Sequence, residues 1–115
     1  MVFAGIGLLT KDVRRLSEFY QKVLQTTSDC DDEIHQEILT NGAFLAVLKH
    51  DGAEGGNPNM TTAFTVDDVD AEFVRLKALG VEIIDEPTTQ PWGARNMRFR
   101  DPDGNFVVFR CFPEG

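Results

Sequence analysis

The chain presents the same succession of secondary-structure signals twice, and this internal repeat constrains its fold more than any other feature. An apolar stretch leads into Thr10-Lys11-Asp12-Val13, and a helical pattern follows to Leu24. Roughly half a chain length later, a similar stretch leads into Val66-Asp67-Asp68-Val69, and a second helical pattern follows to Leu79. A repeat of this length indicates two copies of one supersecondary unit. Paired units of this kind enclose a cavity, so the function of the chain depends on the side chains that line this cavity.

In the first half, residues 2–9 are apolar with two glycines and predict a buried strand. The apolar residues of the next segment recur at helical spacing and predict a helix from Val13; they are Val13, Leu16, Tyr20 and Val23. Residues 33–40 and 43–49 predict two strands around the turn Asn41-Gly42, which is a strong hairpin signal.

In the second half, residues 61–66 predict a strand, and Asp67 or Asp68 can cap the helix that follows. That helix has an apolar stripe and ends at Gly80; the stripe consists of Val69, Phe73, Leu76 and Leu79. Residues 81–85 predict a short strand, 88–93 a loop, and 94–100 and 105–112 a final hairpin. Asp101-Pro102-Asp103-Gly104 suits a type I turn between the last two strands.

Each half therefore predicts the order βαβββ. We expect an α+β protein in which two tandem βαβββ modules form a curled mixed sheet around a cavity, with the helices on the outside. Residues 1–115 form a single domain in this interpretation. Module one covers residues 1–50, a linker rich in glycine, proline and asparagine covers 51–60, and module two covers 61–115.

The composition narrows the classes of function. The net charge is −8 and no run of lysine or arginine occurs, which argues against nucleic acid as a partner. No apolar run is long enough for a membrane span, and no signal-peptide pattern is present, so we expect a cytoplasmic protein that does not bind membranes. Cys30 and Cys111 lack the spacing of a zinc site or a disulfide framework.

Two motifs resemble the vicinal oxygen chelate superfamily, which includes glyoxalase I, extradiol dioxygenases, and fosfomycin- and bleomycin-resistance proteins. Residues 19–24, Phe-Tyr-Gln-Lys-Val-Leu, resemble the signature of the family's first helix, and 101–105, Asp-Pro-Asp-Gly-Asn, resemble that of its last hairpin. The resemblance covers essentially the whole chain and implies the same fold. Gln25 stands where the family usually has glycine after the first helix.

Enzymes of this family hold a divalent metal with four side chains, commonly histidine or glutamate, one from each of four strands. The resemblance maps three of these positions to Gly5, Thr61 and Val108, and the fourth to residues 44–48, which contain no histidine or acid. Because none of these residues supplies a strong metal ligand, we expect no metal and no other cofactor.

Two alternatives to this interpretation remain open. His35 and Glu37 share a strand face, and with His50 they could form a site of the non-haem iron type. The chain would then be a metal-dependent lyase, transferase or dioxygenase with non-standard ligands. Otherwise these residues belong to a polar strand face and a loop. An interaction domain whose cavity is filled by its own side chains is the other alternative.

Without a metal, the resemblance implies a small-molecule binding protein of the drug-sequestering type. Gln90-Pro91-Trp92-Gly93 resembles a loop of bleomycin-resistance proteins; Trp92 could stack on a planar compound or close the rim of the barrel as part of the core. The acidity of the chain suits a cationic compound. We therefore expect binding rather than catalysis, with no catalytic residue assigned, and a homodimer. Strand alternation from the mapped positions predicts the ligand-binding residues, which are Phe3, Gly5, Phe44, Thr61, Ala63, Trp92, Phe106, Val108 and Arg110.

Overall fold

The computed structural model describes residues 1–113, which contain seven strands and two helices. The chain divides into two compact units, Met1–Gly55 and Gly56–Gly115, and the boundary lies inside the predicted linker. The first unit contains β1 (Gly5–Thr10), α1 (Val13–Val23), β2 (His35–Ile38) and β3 (Phe44–Lys49). The second contains β4 (Thr61–Thr65), α2 (Val69–Ala78), β5 (Ile83–Thr89), β6 (Arg95–Arg100) and β7 (Phe106–Cys111). The class is α+β, and the order in each unit is βαβββ-like, as the sequence predicts.

In the first unit the sheet has the order β1-β3-β2, with β1 parallel and β2 antiparallel to β3. A fourth strand is reduced to one bridge between Ser28 and Ile38. Backbone hydrogen bonds from Asp29 to Glu37 and from Leu39 to Thr27 flank this bridge, both at 2.9 Å. The full fourth strand that we expected is therefore replaced by a single paired residue.

In the second unit the sheet has the order β4-β7-β6-β5, with β4 parallel to β7 and the other pairs antiparallel. The expected loop at 88–93 begins later than predicted, because β5 extends to Thr89. Pro87 lies within β5 and donates no backbone hydrogen bond, which an edge strand tolerates. Register shifts occur on both sides of Asp85, between Ile83 and Thr88.

The strand β1 begins at Gly5 rather than at residue 2. Its ladder with β3 starts where the Phe44 N–H donates to the Ala4 carbonyl at 2.8 Å, and residues 1–4 are exposed. Residues 2 and 3 are also apolar, but they lie before the start of this ladder. Apolar character alone therefore overestimates the length of this strand.

Both helices begin at an aspartate that supplies an N-cap. The carboxylate of Asp12 accepts from the Arg15 N–H, and that of Asp68 accepts from the Ala71 N–H, each at 3.1 Å. Of the two candidates in the second half, Asp68 is the cap. This bond satisfies one of the amide groups that a helix leaves unpaired at its start.

The helices bury most of the two faces that the periodicity predicts, but Phe73 of α2 is only half-buried and Leu79 is exposed. All four predicted residues of α1 are buried, as are Val69 and Leu76 of α2. Leu79 is 43% exposed, because α2 ends at Ala78 and the chain turns away at Gly80. Neither helix in the described part of the chain is long and apolar enough to span a membrane.

The last hairpin is held together by the motif at residues 101–105. The buried carboxylate of Asp101 accepts from the backbone of Asp103 and from the backbone and side chain of Asn105, each at 2.9 Å. The Gly104 N–H donates to the Asp101 carbonyl, and Gly104 has a φ of 89°. The motif therefore closes the turn between β6 and β7.

Candidate functional site

Each sheet packs one face against its own helix and leaves the other uncovered by that helix, and we call the second of these its open face. Strand alternation assigns the residues to these faces. The first open face carries mostly small and apolar residues together with two polar ones; they are Gly5, Gly7, Leu9, Phe44, Ala46, Leu48, His35 and Glu37.

Gly5 lies against Phe44, its register partner across the parallel ladder. A Cβ atom added at Gly5 would come 2.5 Å from Phe44 Cγ and 2.6 Å from the Phe44 backbone nitrogen. Contacts below 3.0 Å essentially never occur for real Cβ atoms. The mapped position of the first metal ligand is therefore a place where no side chain fits.

The second open face is built in rows that cross the sheet. One row is Thr65, Arg110, Asn96 and Thr88, and the next is Ala63, Val108, Arg98 and Asp85. A third row contains Thr61, Phe106 and Arg100. Residues directly opposite on neighbouring strands have Cβ atoms only about 5 Å apart, so each row forms a continuous surface.

Three of the four arginines of β6 and β7 have carboxylate partners. Arg98 pairs with Asp85, and Arg100 Nε lies 2.8 Å from a carboxylate oxygen of Glu82. Arg95 lies on the helix side of the sheet, where its guanidinium binds both carboxylate oxygens of Asp70 at 2.8 and 2.9 Å. This hydrogen-bonded guanidinium lowers the pKa of Asp70.

A concave surface of about 540 Å³ lies on the second unit, where β5 curves beside β6. Carboxylate, amide, guanidinium and aliphatic groups line it together. The lining residues are Ile84, Asp85, Glu86, Thr88, Gln90, Asn96, Met97, Arg98 and Val108. This volume falls within the range of about 300–1,000 Å³ that small-molecule sites occupy.

Seven of the nine predicted ligand-binding residues lie on the two open faces. Gly5 and Phe44 are neighbours on the first open face. Five lie on the second; they are Thr61, Ala63, Phe106, Val108 and Arg110. Phe3 precedes β1 and is 77% exposed, and Trp92 lies in the turn between β5 and β6 and is 69% exposed.

The residues at the mapped metal positions do not fit a divalent ion. Gly5 has no side chain and no space for one, Val108 is aliphatic, and Thr61 offers a neutral hydroxyl. His35 and Glu37 share the first open face, while the Nδ1 atom of His50 accepts from the Gly52 N–H at 3.2 Å in the following loop. Within residues 1–113, no three histidine, cysteine or acidic side chains are grouped so as to hold a metal ion.

Neither cysteine has the surroundings of a catalytic nucleophile. Cys30 is exposed, and its thiol pKa is raised. A hydrogen bond with the Asp32 backbone lowers this pKa, but desolvation and the neighbouring Asp29 outweigh it. Cys111 is a buried free thiol on the helix side of β7. A thiol with a raised pKa forms little of the reactive thiolate.

Sequence reasoning missed Asn96, Thr88 and Asp85 as members of the second open face. The alternation of polar and apolar residues along β6 could have placed Asn96, because Met97 and Phe99 are its buried counterparts. Thr88 and Asp85 could not be placed, since the register shifts in β5 change which residue faces β6.

Residues 3–109 match the family model of the Glyoxalase/Bleomycin resistance protein/Dioxygenase superfamily. A search of curated proteins finds no match. The fold is similar to that of a glyoxalase/bleomycin resistance protein/dioxygenase from Nocardioides (22% identity, TM-score 0.79, covering 100% of this chain and 85% of that one). It is also similar to a family enzyme from Burkholderia phytofirmans PsJN (18% identity, TM-score 0.84, 97% and 99% covered). A protein of unknown function from Agrobacterium tumefaciens str. C58 is 28% identical, with a TM-score of 0.81 and 96% and 94% covered.

Proposed function

Because the chain belongs to the glyoxalase/bleomycin resistance protein/dioxygenase superfamily, we propose that it binds a small organic molecule without the help of a metal ion. The observation that carries this proposal is the concave surface of about 540 Å³ on the second unit. Its lining combines three apolar side chains, those of Ile84, Met97 and Val108, with six polar or charged ones that can orient a ligand. The role that we propose for it is sequestration, with a planar compound as the ligand class that the sequence motifs imply.

The charge of the second open face changes one part of the sequence-based expectation. Arg98, Arg100 and Arg110 lie on it; Asp85 and Glu82 compensate the first two, which leaves the charge of Arg110 to repel a cationic ligand. We therefore keep the planar ligand in the proposal and leave out the cationic one.

The proposal is tested by a thermal-shift screen of planar organic compounds, in which at least one compound class should raise the melting temperature saturably. Val108→Trp would fill the concave surface and should abolish the shift. Val74→Trp is the matched control, because Val74 is 68% exposed on α2. A shift that Val108→Trp leaves unchanged would contradict binding at this surface.

The proposal that binding needs no metal ion is tested in a separate experiment. Purified protein is exposed to Ni²⁺, Zn²⁺, Mn²⁺ or Fe²⁺, desalted, and analysed for metal content. We expect no stoichiometric retention, and EDTA should leave ligand binding unchanged. One bound ion per chain would contradict this part of the proposal.

A metal-dependent lyase, transferase or dioxygenase is the second candidate, and the pair His35 and Glu37 on the first open face is the observation that favours it. In that case His35→Ala or Glu37→Ala should abolish both metal retention and activity. The proposed binding function predicts that neither substitution affects the ligand-induced thermal shift.

Assembly as a homodimer and a cytoplasmic location belong to the same proposal. Large apolar side chains are exposed on the first unit, among them Phe3, Leu9, Leu39 and Phe44, and such surfaces favour association into the dimer. The proposed cytoplasmic location has a separate support, because two free thiols suit a reducing compartment. Sedimentation equilibrium should give the mass of two chains, and the mass of one chain would contradict the dimer.

A further inference from the structure

One row of polar side chains crosses all four strands of the second open face, and it is suited to recognise an acid group. Thr65 on β4 is opposite Arg110 on β7, Arg110 is opposite Asn96 on β6, and Asn96 is opposite Thr88 on β5. Two register pairs flank Arg110 directly, so its guanidinium has hydrogen-bonding neighbours on both sides.

Arg110 differs from the other arginines of β6 and β7 because it has no carboxylate partner among residues 1–113. Its Nε donates to Thr65 Oγ1 at 3.2 Å, and its guanidinium carbon lies 5.2 Å from the centre of the Phe112 ring. These two contacts orient the side chain and leave its terminal nitrogens available. An arginine in this state can bind a planar oxyanion through two parallel hydrogen bonds.

Asn96 adds a second polar group beside this cation. Its side-chain oxygen is buried and has no hydrogen-bond partner in the described part of the chain. A buried carbonyl oxygen without a donor is unfavourable, so rotation of the Asn96 amide toward the open face, where a ligand's donor can reach this oxygen, would satisfy it. The neighbouring row offers the apolar surfaces of Ala63 and Val108 for the body of such a ligand.

The number of uncompensated arginines on the second open face indicates which acid group a ligand carries. Arg98 and Arg100 are compensated by Asp85 and Glu82, so Arg110 is the one arginine of this face without such a partner in residues 1–113. A singly charged carboxylate balances one cation, whereas a doubly charged phosphate would require more. The row therefore matches a carboxylate better than a phosphate.

We propose that the second open face binds a planar carboxylic acid, whose carboxylate pairs with Arg110 and whose adjacent hydrogen-bond donor meets the Asn96 side-chain oxygen. This proposal rests on the proposed small-molecule binding function and specifies its ligand class. Arg110 and Asn96 are then the specificity-determining residues, and Thr65 is a positioning residue for Arg110.

Three matched probes separate the parts of this proposal. Indole-2-carboxylate carries a planar ring, a carboxylate and an adjacent N–H; indole-2-carboxamide lacks the charge, and benzofuran-2-carboxylate lacks the N–H. The full chain, labelled with ¹⁵N, is titrated with each probe, and amide shifts are followed. We expect saturable shifts at Thr65, Asn96 and Arg110 with indole-2-carboxylate. The carboxamide should bind about tenfold more weakly, which corresponds to losing one charge-assisted contact at a half-exposed site.

Variants test the assigned residues. Arg110→Gln should weaken binding of indole-2-carboxylate about tenfold and remove its preference over the carboxamide. Asn96→Leu should remove the preference for the indole acid over the benzofuran acid. Arg14→Gln is the control, because Arg14 is an exposed arginine of the first unit that pairs with Asp31 and Glu33. If Arg110→Gln fails to fold, Thr65→Val replaces it, and the same loss of preference is expected.

The outcomes distinguish this inference from the proposed function. Equal affinity for the acid and the amide, unaffected by Arg110→Gln but abolished by Val108→Trp, would overturn the carboxylate assignment and leave small-molecule binding intact. Tighter binding of phenyl phosphate than of indole-2-carboxylate would also overturn it. No saturable shift on this face with any probe at about 1 mM, a concentration that detects free energies near −4 kcal/mol, would overturn the assignment. If the thermal-shift screen also finds no compound, the proposed function fails as well.

Discussion

The two modules share one design but differ in what they place on their open faces. In the first, Gly5 and Phe44 are register partners and no side chain fits at position 5. In the second, the corresponding first strand starts at Thr61, which is exposed opposite Phe106. The first open face is mainly apolar, whereas the second carries arginine, asparagine and threonine. The two modules therefore have the same kind of helix cap and differ on their open faces.

The largest effect should come from adding a side chain at Gly5 of β1, since β4 of the second module already has a side chain at the corresponding Thr61. Gly5→Ala should lower the free energy of unfolding by about 2–3 kcal/mol, because the new Cβ meets the ring and backbone of Phe44. Thr61→Ala is the matched change in the second module and should cost about 0.5 kcal/mol or less. Urea denaturation of both variants provides the measurement. Equal stability of Gly5→Ala and the original protein would show that β1 and β3 do not approach as closely as described.

A smaller effect is expected at the ends of the two helices. Gly80 and Gln25 both follow a helix in the left-handed conformation, with φ values of 81° and 53°. Both close a Schellman-type turn, with Val81 donating to Leu76 at 3.1 Å and Thr26 to Gln21 at 3.0 Å. Only glycine adopts this conformation without a steric cost.

Exchanging these residues should therefore shift stability in opposite directions. Gln25→Gly should stabilise the protein by about 1 kcal/mol, and Gly80→Gln should destabilise it by about 1–2 kcal/mol. Nothing lies within 4 Å of a Cβ at Gly80, so crowding does not contribute there. Thermal and urea unfolding check both values. A loss of stability in Gln25→Gly would mean that the Gln25 side chain contributes contacts that outweigh its backbone cost.

The sequence predicts the shared frame well because local chemistry determines it. Asp12, Asp68, Gly80 and Asp101 each act through hydrogen bonds or dihedral angles within a few residues of themselves. Alternation along single strands likewise places Val108 and Arg110 on the second open face. These are short-range effects, and one sequence contains all the information that they require.

The parts that the sequence does not predict depend on distant residues. The register shifts around Asp85 decide that Thr88 rather than its neighbour lies opposite Asn96. The crowding of Gly5 arises from Phe44, which reaches it only through a parallel pairing. Arg110 likewise has no carboxylate partner among residues 1–113 because Asp85 of β5 pairs with Arg98, and Glu82, just before β5, pairs with Arg100. Pairing between strands that are far apart in the chain sets each of these features, and no local pattern encodes it.

The smallest effect concerns two aspartates, one in each module, whose pKa values are both lowered for different reasons. The Glu37 backbone N–H makes the largest contribution to stabilising the Asp29 carboxylate, and Cys30 adds to it. The Arg95 guanidinium stabilises the carboxylate of Asp70. Since both folded-state pKa values lie below the ordinary 3.8, each carboxylate stabilises the fold at pH values above 3.8. This contribution is lost as the pH falls through the lowered value.

Asp29→Asn and Asp70→Asn should therefore each reduce the free energy of unfolding near neutral pH, and both differences should shrink toward zero in strong acid. Salt should distinguish the two variants, because the exposed pair of Asp70 with Arg95 is screened by ions and the backbone hydrogen bond of Asp29 is much less so. Urea denaturation across pH and sodium chloride concentration provides the measurement. A destabilisation by Asp70→Asn that persists unchanged in high salt would show that its contact with Arg95 acts through hydrogen-bond geometry rather than through charge.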